Sequence, residues 1–411
     1  MIIYKTIKKC RICYGKLKLL HRYNSTPLGE DFINKTEKKK QELIPLNLCK
    51  CEKCNLVQIS EIVNPNIIYK NYLYETKTSL TLDKHFKNYA SKVKKNLKLK
   101  KNDMIVDIGS NDGVLLKYFK NINCKVLGIE PARHIAIKTN KKKIPTINSY
   151  FDKNCVKKIK KKYGKAKVVT ANNVFANIEK INNWIELIKF ILRDDGYFIL
   201  ESYYLADLIK NKVFDFIYHE HHSAFSLKPI SYLCKKHNLK IVHVESSNSK
   251  GGSLRYYICK KSFNGFKNIK SVNTIRKRET KEKIYQTSTY KKFYKEIWAE
   301  QEKLQKFLNK NKYKKVFGFG ASITCITLIY QFYLQKKIKI LYDDNKIKHD
   351  MLSPRDRIPI KSIIGTNNQN QSILLILAWR YGDLIIKRHK KILKKFQYVI
   401  QVMPKFKKIN I

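Results

Sequence analysis

Five short apolar runs, MIVDIG, VLGIE, VVTANNVF, YFILES and LKIVHV, recur through the middle of the chain, and the stretches between them, such as 181–192, carry apolar residues at helical spacing. Strands that are apolar throughout must be covered on both faces, and parallel neighbours need crossovers long enough for a helix. The alternation predicts an α/β unit with a mostly parallel sheet and helices on both faces. A second block of the same kind follows. VFGFGASITCITLIYQF reads as strand, glycine turn and helix, and KILYDDN, SILLILAW and YVIQVM supply further strands. Between the blocks, residues 270–312 are highly charged, with Ile275, Tyr285, Tyr290, Phe293, Ile297, Leu304 and Phe307 at helical spacing, which predicts long linking helices. At 411 residues the chain exceeds one ordinary core. The expected division is a cysteine-rich module over 1–72, a Rossmann-like α/β domain over 73–262, and linking helices plus a second Rossmann-like α/β domain over 263–411. No internal repeat of roughly 20–50 residues is visible.

Five of ten cysteines, Cys10, Cys13, Cys49, Cys51 and Cys54, fall in the first 54 residues. A disulfide framework would not cluster so in a chain of this size. Cys10-x-x-Cys13 and Cys51-x-x-Cys54 stand 37 residues apart. Two thiolates on one tight turn reach a single Zn²⁺ at about 2.3 Å, and two such turns complete a tetrahedron with no open position, so a structural zinc site is expected. Cys49 is a rival for the place of Cys51.

Lys and Arg number 86 against 32 Asp and Glu, a net charge of +54. Such a surplus suits a polyanionic partner. The lysines, however, are spread along the whole chain beside abundant Asn and Ile, as AT-rich coding would produce. Nucleic-acid binding would need aromatics interleaved with the basic positions and is disfavoured; a modest benefit for a phosphorylated substrate is expected. No run of about 18 apolar residues occurs, and the N-terminus lacks the pattern of a signal peptide, so a cytoplasmic protein without membrane attachment is expected.

Asp107-Ile-Gly109-Ser-Asn111-Asp-Gly113 lies where a strand gives way to a helix, and Glu130-Pro131 ends the next strand. Glycine lets the backbone turn tightly and approach a ligand, and an acid at the second strand tip accepts ribose hydroxyl hydrogens. The G-x-x-x-G spacing differs from the G-x-G-x-x-G of pyrophosphate binders. It favours S-adenosylmethionine, whose amino group suits Asp107. Further on, Tyr218-His219-Glu220-His221-His222 packs three histidines and a carboxylate into adjacent positions, which suits an oriented general base. A metal cluster is the competing reading, although the string lacks the i, i+4 spacing of helical zinc ligands.

In this order, the cysteine steps ending in Cys54-Asn-Leu-Val-Gln58, Asp107-Ile-Gly-Ser-Asn-Asp-Gly113, Ala171-Asn172-Asn173-Val-Phe175, Tyr218-His-Glu-His221, Gly251-Gly-Ser-Leu-Arg255, Phe319-Gly-Ala321 and Asp343-Asp-Asn345 resemble the three-domain sugar C-methyltransferases over nearly the whole chain. The resemblance implies a zinc-binding N-terminal domain, a central S-adenosylmethionine domain and a C-terminal Rossmann-like domain that helps hold a nucleotide-linked keto-sugar. It implies His221 as general base, Tyr218 and Glu220 as supports of its geometry, and Tyr74 at the substrate pocket, with Tyr72 as a rival. Asp107, Gly109, Asn111, Gly113, Glu130, Pro131, Asn172 and Asn173 are expected at the cofactor, and His219, His222, Asn177, Arg255, Gly318 and Gly320 at the substrate. Asn177 stands where the family often has histidine, and the turn after Gly320 lacks the family's Lys-Gly-Asn. The expected reaction is C-methylation through a base-generated enolate. The alternatives are O- or N-methylation of a small molecule or RNA, and a zinc-containing nucleic-acid-binding protein without activity.

Overall fold

A computed structural model describes residues 3–69, 82–367 and 369–411. The N-terminal module is built from β1 (Tyr4–Thr6), β2 (Leu17–Thr26), β3 (Ile44–Cys51), β4 (Val57–Ile59) and β5 (Glu61–Val63). The central unit supplies β6 (Met104–Ile108), β7 (Lys125–Ile129), β8 (Thr146–Ile147), β9 (Ala166–Asn172), β10 (Leu192–Tyr203), β11 (Ser223–Ala224), β12 (Leu239–Ser247) and β13 (Ser253–Lys260). Its seven-stranded sheet has the order β12-β13-β10-β9-β6-β7-β8. Strands β8, β7, β6, β9 and β10 pair in parallel, and β13 runs antiparallel to both neighbours. The five apolar runs became β6, β7, β9, β10 and β12. Strand β13 lies outside them, because its Arg255 and tyrosines interrupt the apolar pattern even though the strand is almost wholly buried.

The C-terminal unit contains β14 (Lys315–Phe319), β15 (Ile338–Tyr342), β16 (Ile360–Lys361), β17 (Gln369–Ile376), β18 (Phe396–Gln401) and β19 (Lys407–Ile409), ordered β16-β15-β14-β17-β18-β19. All but β19 are parallel. The protein is thus α/β, with a cysteine-centred module followed by two Rossmann-like sheets. Among the described residues, no helix is long and apolar enough to cross a membrane.

The charged stretch before β14 forms helices Ile269–Lys281 and Thr287–Lys310. The second does more than connect. Tyr294 stacks on His21 of β2, ring centroids 3.7 Å apart, and its hydroxyl lies 2.9 Å from that of Tyr23. One apolar cluster runs from Cys10 and Leu46 through Phe198 and Leu254 to Leu328 and Met403, so the three units share a core.

The two-residue strand β11 belongs to the sheet of the module, not to the central one. Ser223 pairs with Gln58 and Ala224 with Val57, in the order β11-β4-β3-β2. The histidine string immediately before β11 is thereby sewn to the module.

Candidate active site

The module is organised around four sulfurs. The Sγ atoms of Cys10, Cys13, Cys51 and Cys54 all lie within 4.8 Å of one another. Cys10 and Cys54 are 3.5 Å apart and Cys13 and Cys51 3.3 Å, near the ~3.8 Å edge of a tetrahedron with Zn–S bonds of about 2.3 Å. The amide of Ile12 points at Cys10 Sγ, and those of Lys53 and Cys54 point at Cys51 Sγ, which favours thiolates. The donor set therefore fits a closed, structural Zn²⁺. Cys49 stands outside the group, and burial pushes its thiol up, towards the neutral form.

The central sheet reverses its order at β6, and α/β sheets bind ligands beyond the strand ends at such a point. Here a cavity of about 340 Å³ is lined by Asp107, Gly109, Asn111, Glu130, Pro131, Asn172 and Asn173, with Tyr150, Phe151 and Trp184 opposite. Gly109 has φ +69°, which lets the chain leave β6 in a tight turn. Asp107 accepts from Thr170 Oγ1 at 2.5 Å and from Asn172 at 3.4 Å. Burial pushes its carboxyl up to about 7, with the hydrogen bonds from Thr170 and Asn172 opposing. Glu130 is held by the amides of Asn111 (2.9 Å) and Ala132 (2.8 Å). Ser110 Oγ, Asn172 Oδ1 and Asn173 Oδ1 are buried and have no hydrogen-bond partner among the described residues. A ligand with an ammonium, a ribose and an adenine edge meets these demands, so the residues fit S-adenosylmethionine.

Two expectations change here. Gly113 does not line the cavity; with φ +74° it starts the helix Val114–Asn121, and a Cβ there would lie 2.8 Å from Thr139 Cγ2, so its glycine serves close packing. Asn177, expected at the substrate, lines the donor cavity.

The histidine string is held on several sides. Nδ1 of His221 is 2.9 Å from the carbonyl oxygen of Phe216, which can only accept, so Nδ1 carries the proton. Nε2 therefore presents its lone pair, and the hydroxyl of Tyr218 donates to it at 2.8 Å. The ring lies between Tyr218 and Tyr203, at centroid distances of 4.1 and 4.7 Å. Burial lowers the imidazole to about 3, which keeps it neutral. Glu220 is pushed up to about 8, chiefly by burial and then by Glu30, against the pull of Lys348 and Lys250. Tyr74 and Tyr72 lie outside the described residues.

Several residues expected at the substrate stand elsewhere. His219 donates from Nε2 to the carbonyl of Pro45 in the module, at 3.0 Å. His222 is buried, and its carbonyl accepts from Arg11, the residue after Cys10, at 2.9 Å. Arg255 spends its guanidinium on Glu201 (2.8 and 2.7 Å) and Glu245 (2.8 Å), and stacks 3.6 Å above the ring of Tyr89. Gly318 and Gly320 are packing glycines. A Cβ at 318 would sit 2.5 Å from Leu377 Cδ1, and one at 320 would sit 2.7 Å from Cys325 Sγ. The helix they precede is already served: Ser322 caps the amide of Cys325, Asp343 takes that of Ala321, and Gly29 of the module packs on Ile323. None of these five lines the donor cavity or a second cleft.

That cleft, of about 1000 Å³, opens between the central and C-terminal units and is lined by Lys84, His85, Lys250, Arg380, Lys405 and Lys407 among others. Arg380 has a second task. Its Nη1 grips both oxygens of fully buried Asp215 at 2.7 and 2.8 Å, the indole of Trp379 donates to Asp215 at 3.0 Å, and its guanidinium lies 4.5 Å from the ring centroid of Phe216. The C-terminal unit thus fixes the turn whose carbonyl orients His221. Asp215→Asn keeps the shape and loses the charge, and should cost roughly 1.5–3 kcal/mol in thermal or denaturant unfolding. An unchanged midpoint would show that the pair is not a strut. Sequence reading passed over Asp215, Arg380 and Lys250. Arg380 was signalled only by its place just past the end of β17, where α/β sheets gather ligands.

Three family models match the chain in order: a zinc binding domain over residues 10–69, a methyltransferase domain over 82–244 and a C-methyltransferase C-terminal domain over 248–404. A curated relative, the C-methyltransferase NovU of Streptomyces niveus, is 27% identical over 398 residues, covering 95% of this chain and 94% of its own. Among solved structures, the plantazolicin methyltransferase BpumL in complex with SAH is 14% identical over 44% of this chain and 86% of its own, at TM-score 0.35. The magnesium protoporphyrin IX methyltransferase of Synechocystis PCC 6803 with bound SAH is 12% identical over 47% and 91%, also at TM-score 0.35. Likenesses that weak bear on neither fold nor site. With a four-cysteine zinc module, a methyltransferase unit and the C-terminal domain in this succession, the chain belongs to the three-domain, S-adenosylmethionine-dependent C-methyltransferases.

Proposed function

We propose that this protein methylates a carbon next to the keto group of a nucleotide-linked 4-keto-deoxysugar. The observation that carries this reading is the fixed tautomer of His221: Phe216 holds the proton on Nδ1 and leaves Nε2, which accepts from the Tyr218 hydroxyl, as the basic atom a general base needs. A hydroxyl or amine acceptor has its own lone pair. A carbon acceptor must first be deprotonated. In this reading His221 takes the hydrogen alpha to the keto group, and Tyr218 and Glu220 support it. S-adenosylmethionine, when bound by Asp107, Glu130 and the asparagines of β9 and its following turn, supplies an electrophilic methyl group to the carbon so activated. The cleft with Lys84, Arg380, Lys405 and Lys407 suits the diphosphate of a nucleotide-sugar.

The test is mass spectrometry of the protein with S-adenosylmethionine and a panel of nucleotide-linked 4-keto-6-deoxysugars in deuterated water. One sugar should gain a methyl on carbon. Exchange of deuterium without methylation would leave the base in place and refute the acceptor. Neither exchange nor methylation with any sugar, alongside tight RNA binding that falls steeply with salt, would overturn the reading in favour of RNA.

A further inference from the structure

Among the described residues, Lys250 and Leu82 are common to the walls of the donor cavity and the inter-domain cleft, and Lys250 is the charged one. It sits in the turn Ser249–Gly251 that joins β12 to β13, with φ +52°. The turn is pinned from several sides. Gly252 N and Ser253 Oγ both donate to the carbonyl of Ser249 at 3.0 Å, and Asn211 Nδ2 holds that of Gly251 at 2.9 Å. A Cβ on Gly252 would lie 2.3 Å from Asp207 Cβ, so the chain passes there only as glycine. The backbone that carries Lys250 is therefore held in place.

We propose that Lys250 is a catalytic residue whose ammonium binds the keto oxygen of the substrate while that oxygen takes up the charge of the enolate. The inference rests on the reading of the protein as a C-methyltransferase of keto-sugars. The proton balance is simple: the C–H bond breaks, the proton goes to Nε2 of His221, the bonding pair becomes the carbon–carbon π bond, and the carbonyl π pair moves onto oxygen. A C–H beside a carbonyl is a weak acid and its removal puts charge on the carbonyl oxygen, so an electrophile at that oxygen lowers the barrier. Lys250 is near enough for its charge to act on both His221 and Glu220. The carboxylate of Glu201, which also faces it, is already committed to His85 and Arg255. Burial pushes the ammonium down to about 8, with Glu201 from β10 and Glu220 from the histidine loop opposing and Arg380 from the C-terminal unit assisting.

The experiment compares wild type, Lys250→Met and Lys250→Arg for deuterium exchange into the sugar, methyl transfer and pH profile. Lys250→Met should lose exchange and methyl transfer together, on the order of 10²–10³-fold in kcat at saturating S-adenosylmethionine. Lys250→Arg should recover part of the rate. The wild-type rate should fall as pH rises through about 8, where the ammonium is lost, and that fall should move upward in Lys250→Arg. A Lys250→Met enzyme with wild-type kcat and exchange, or one raised only in KM, overturns the role. The same holds if Lys250→Arg keeps the wild-type alkaline limb. Wild type inactive on every sugar overturns the parent reading, and the role with it.

Discussion

His221→Asn should lower methyl transfer by roughly 10²–10⁴-fold and abolish deuterium exchange into the sugar, while S-adenosylmethionine binds as before. The expectation follows from placement. His221 lies outside the walls of the donor cavity, so calorimetric titration of the cofactor should not register its loss. Asparagine keeps an amide donor for the carbonyl of Phe216, so the loop retains its anchor and the melting temperature should hold. What disappears is the lone pair of Nε2. Tyr218→Phe sharpens the experiment, because the hydroxyl of Tyr218 occupies that lone pair at 2.8 Å. If His221 acts directly, the phenylalanine variant keeps most of its exchange. A loss as deep as that of His221→Asn would make the phenol oxygen the reacting atom, with the imidazole behind it. Methyl transfer surviving intact in His221→Asn would remove the base from the mechanism altogether.

What could be read along the chain was what local physics dictates. Parallel strands covered on both faces must be apolar throughout, so β6, β7, β9 and β10 announced themselves. Two C-x-x-C turns reveal their ligands because two thiols on one tight turn converge on the same ion, and the same logic left Cys49 and Cys51 undecided until the sulfurs could be seen together. Glycine motifs were less informative, since a glycine that admits a ligand and one that admits a neighbouring side chain look alike. Gly109 lines the donor cavity at φ +69° with Val174 beside it, whereas Gly318 and Gly320 face only neighbouring side chains and backbone of their own unit. Contacts between residues distant in sequence left no trace. Arg380 meets Asp215 across 165 positions, and Lys348, buried over the ring of Phe32, meets Glu30 across 318. Arg255 was drawn towards the substrate because its partners, Glu201 and Glu245, sit on the flanking strands β10 and β12 and no local pattern joins them. The same blindness hid β11, whose pairing with β4 ties the histidine loop to the zinc module.

That tie predicts that removing the zinc will disable catalysis from a distance. Closed four-cysteine sites contribute roughly 10–16 kcal/mol of apparent binding energy to the folding of small zinc domains, more than any single hydrogen bond in the module supplies. Without the ion, the four sulfurs of the turns Cys10–Cys13 and Cys51–Cys54 lose the centre they share. Arg11, carried on the first turn, then loses its seat, and with it the bonds of Nη1 to the carbonyls of Ile59 (2.8 Å) and His222 (2.9 Å). The anchor of His219 on Pro45 and the pairing of Ser223 with Gln58 are strained by the same loosening. His221 sits within this span, whereas Asp107 and Glu130 do not. Cys54→Ser, or treatment with a strong chelator, should therefore lower the melting temperature and suppress kcat while the affinity for S-adenosylmethionine changes little. Metal analysis of the untreated protein should find about one zinc per chain. Because the ligands are thiolates, acidification protonates them and favours release, so the loss should set in at higher pH in the presence of chelator than in its absence. Zinc-free protein with unchanged melting and unchanged kcat would show that the module stands without its metal and that the histidine loop takes its order from the C-terminal unit alone, through Asp215 and Arg380.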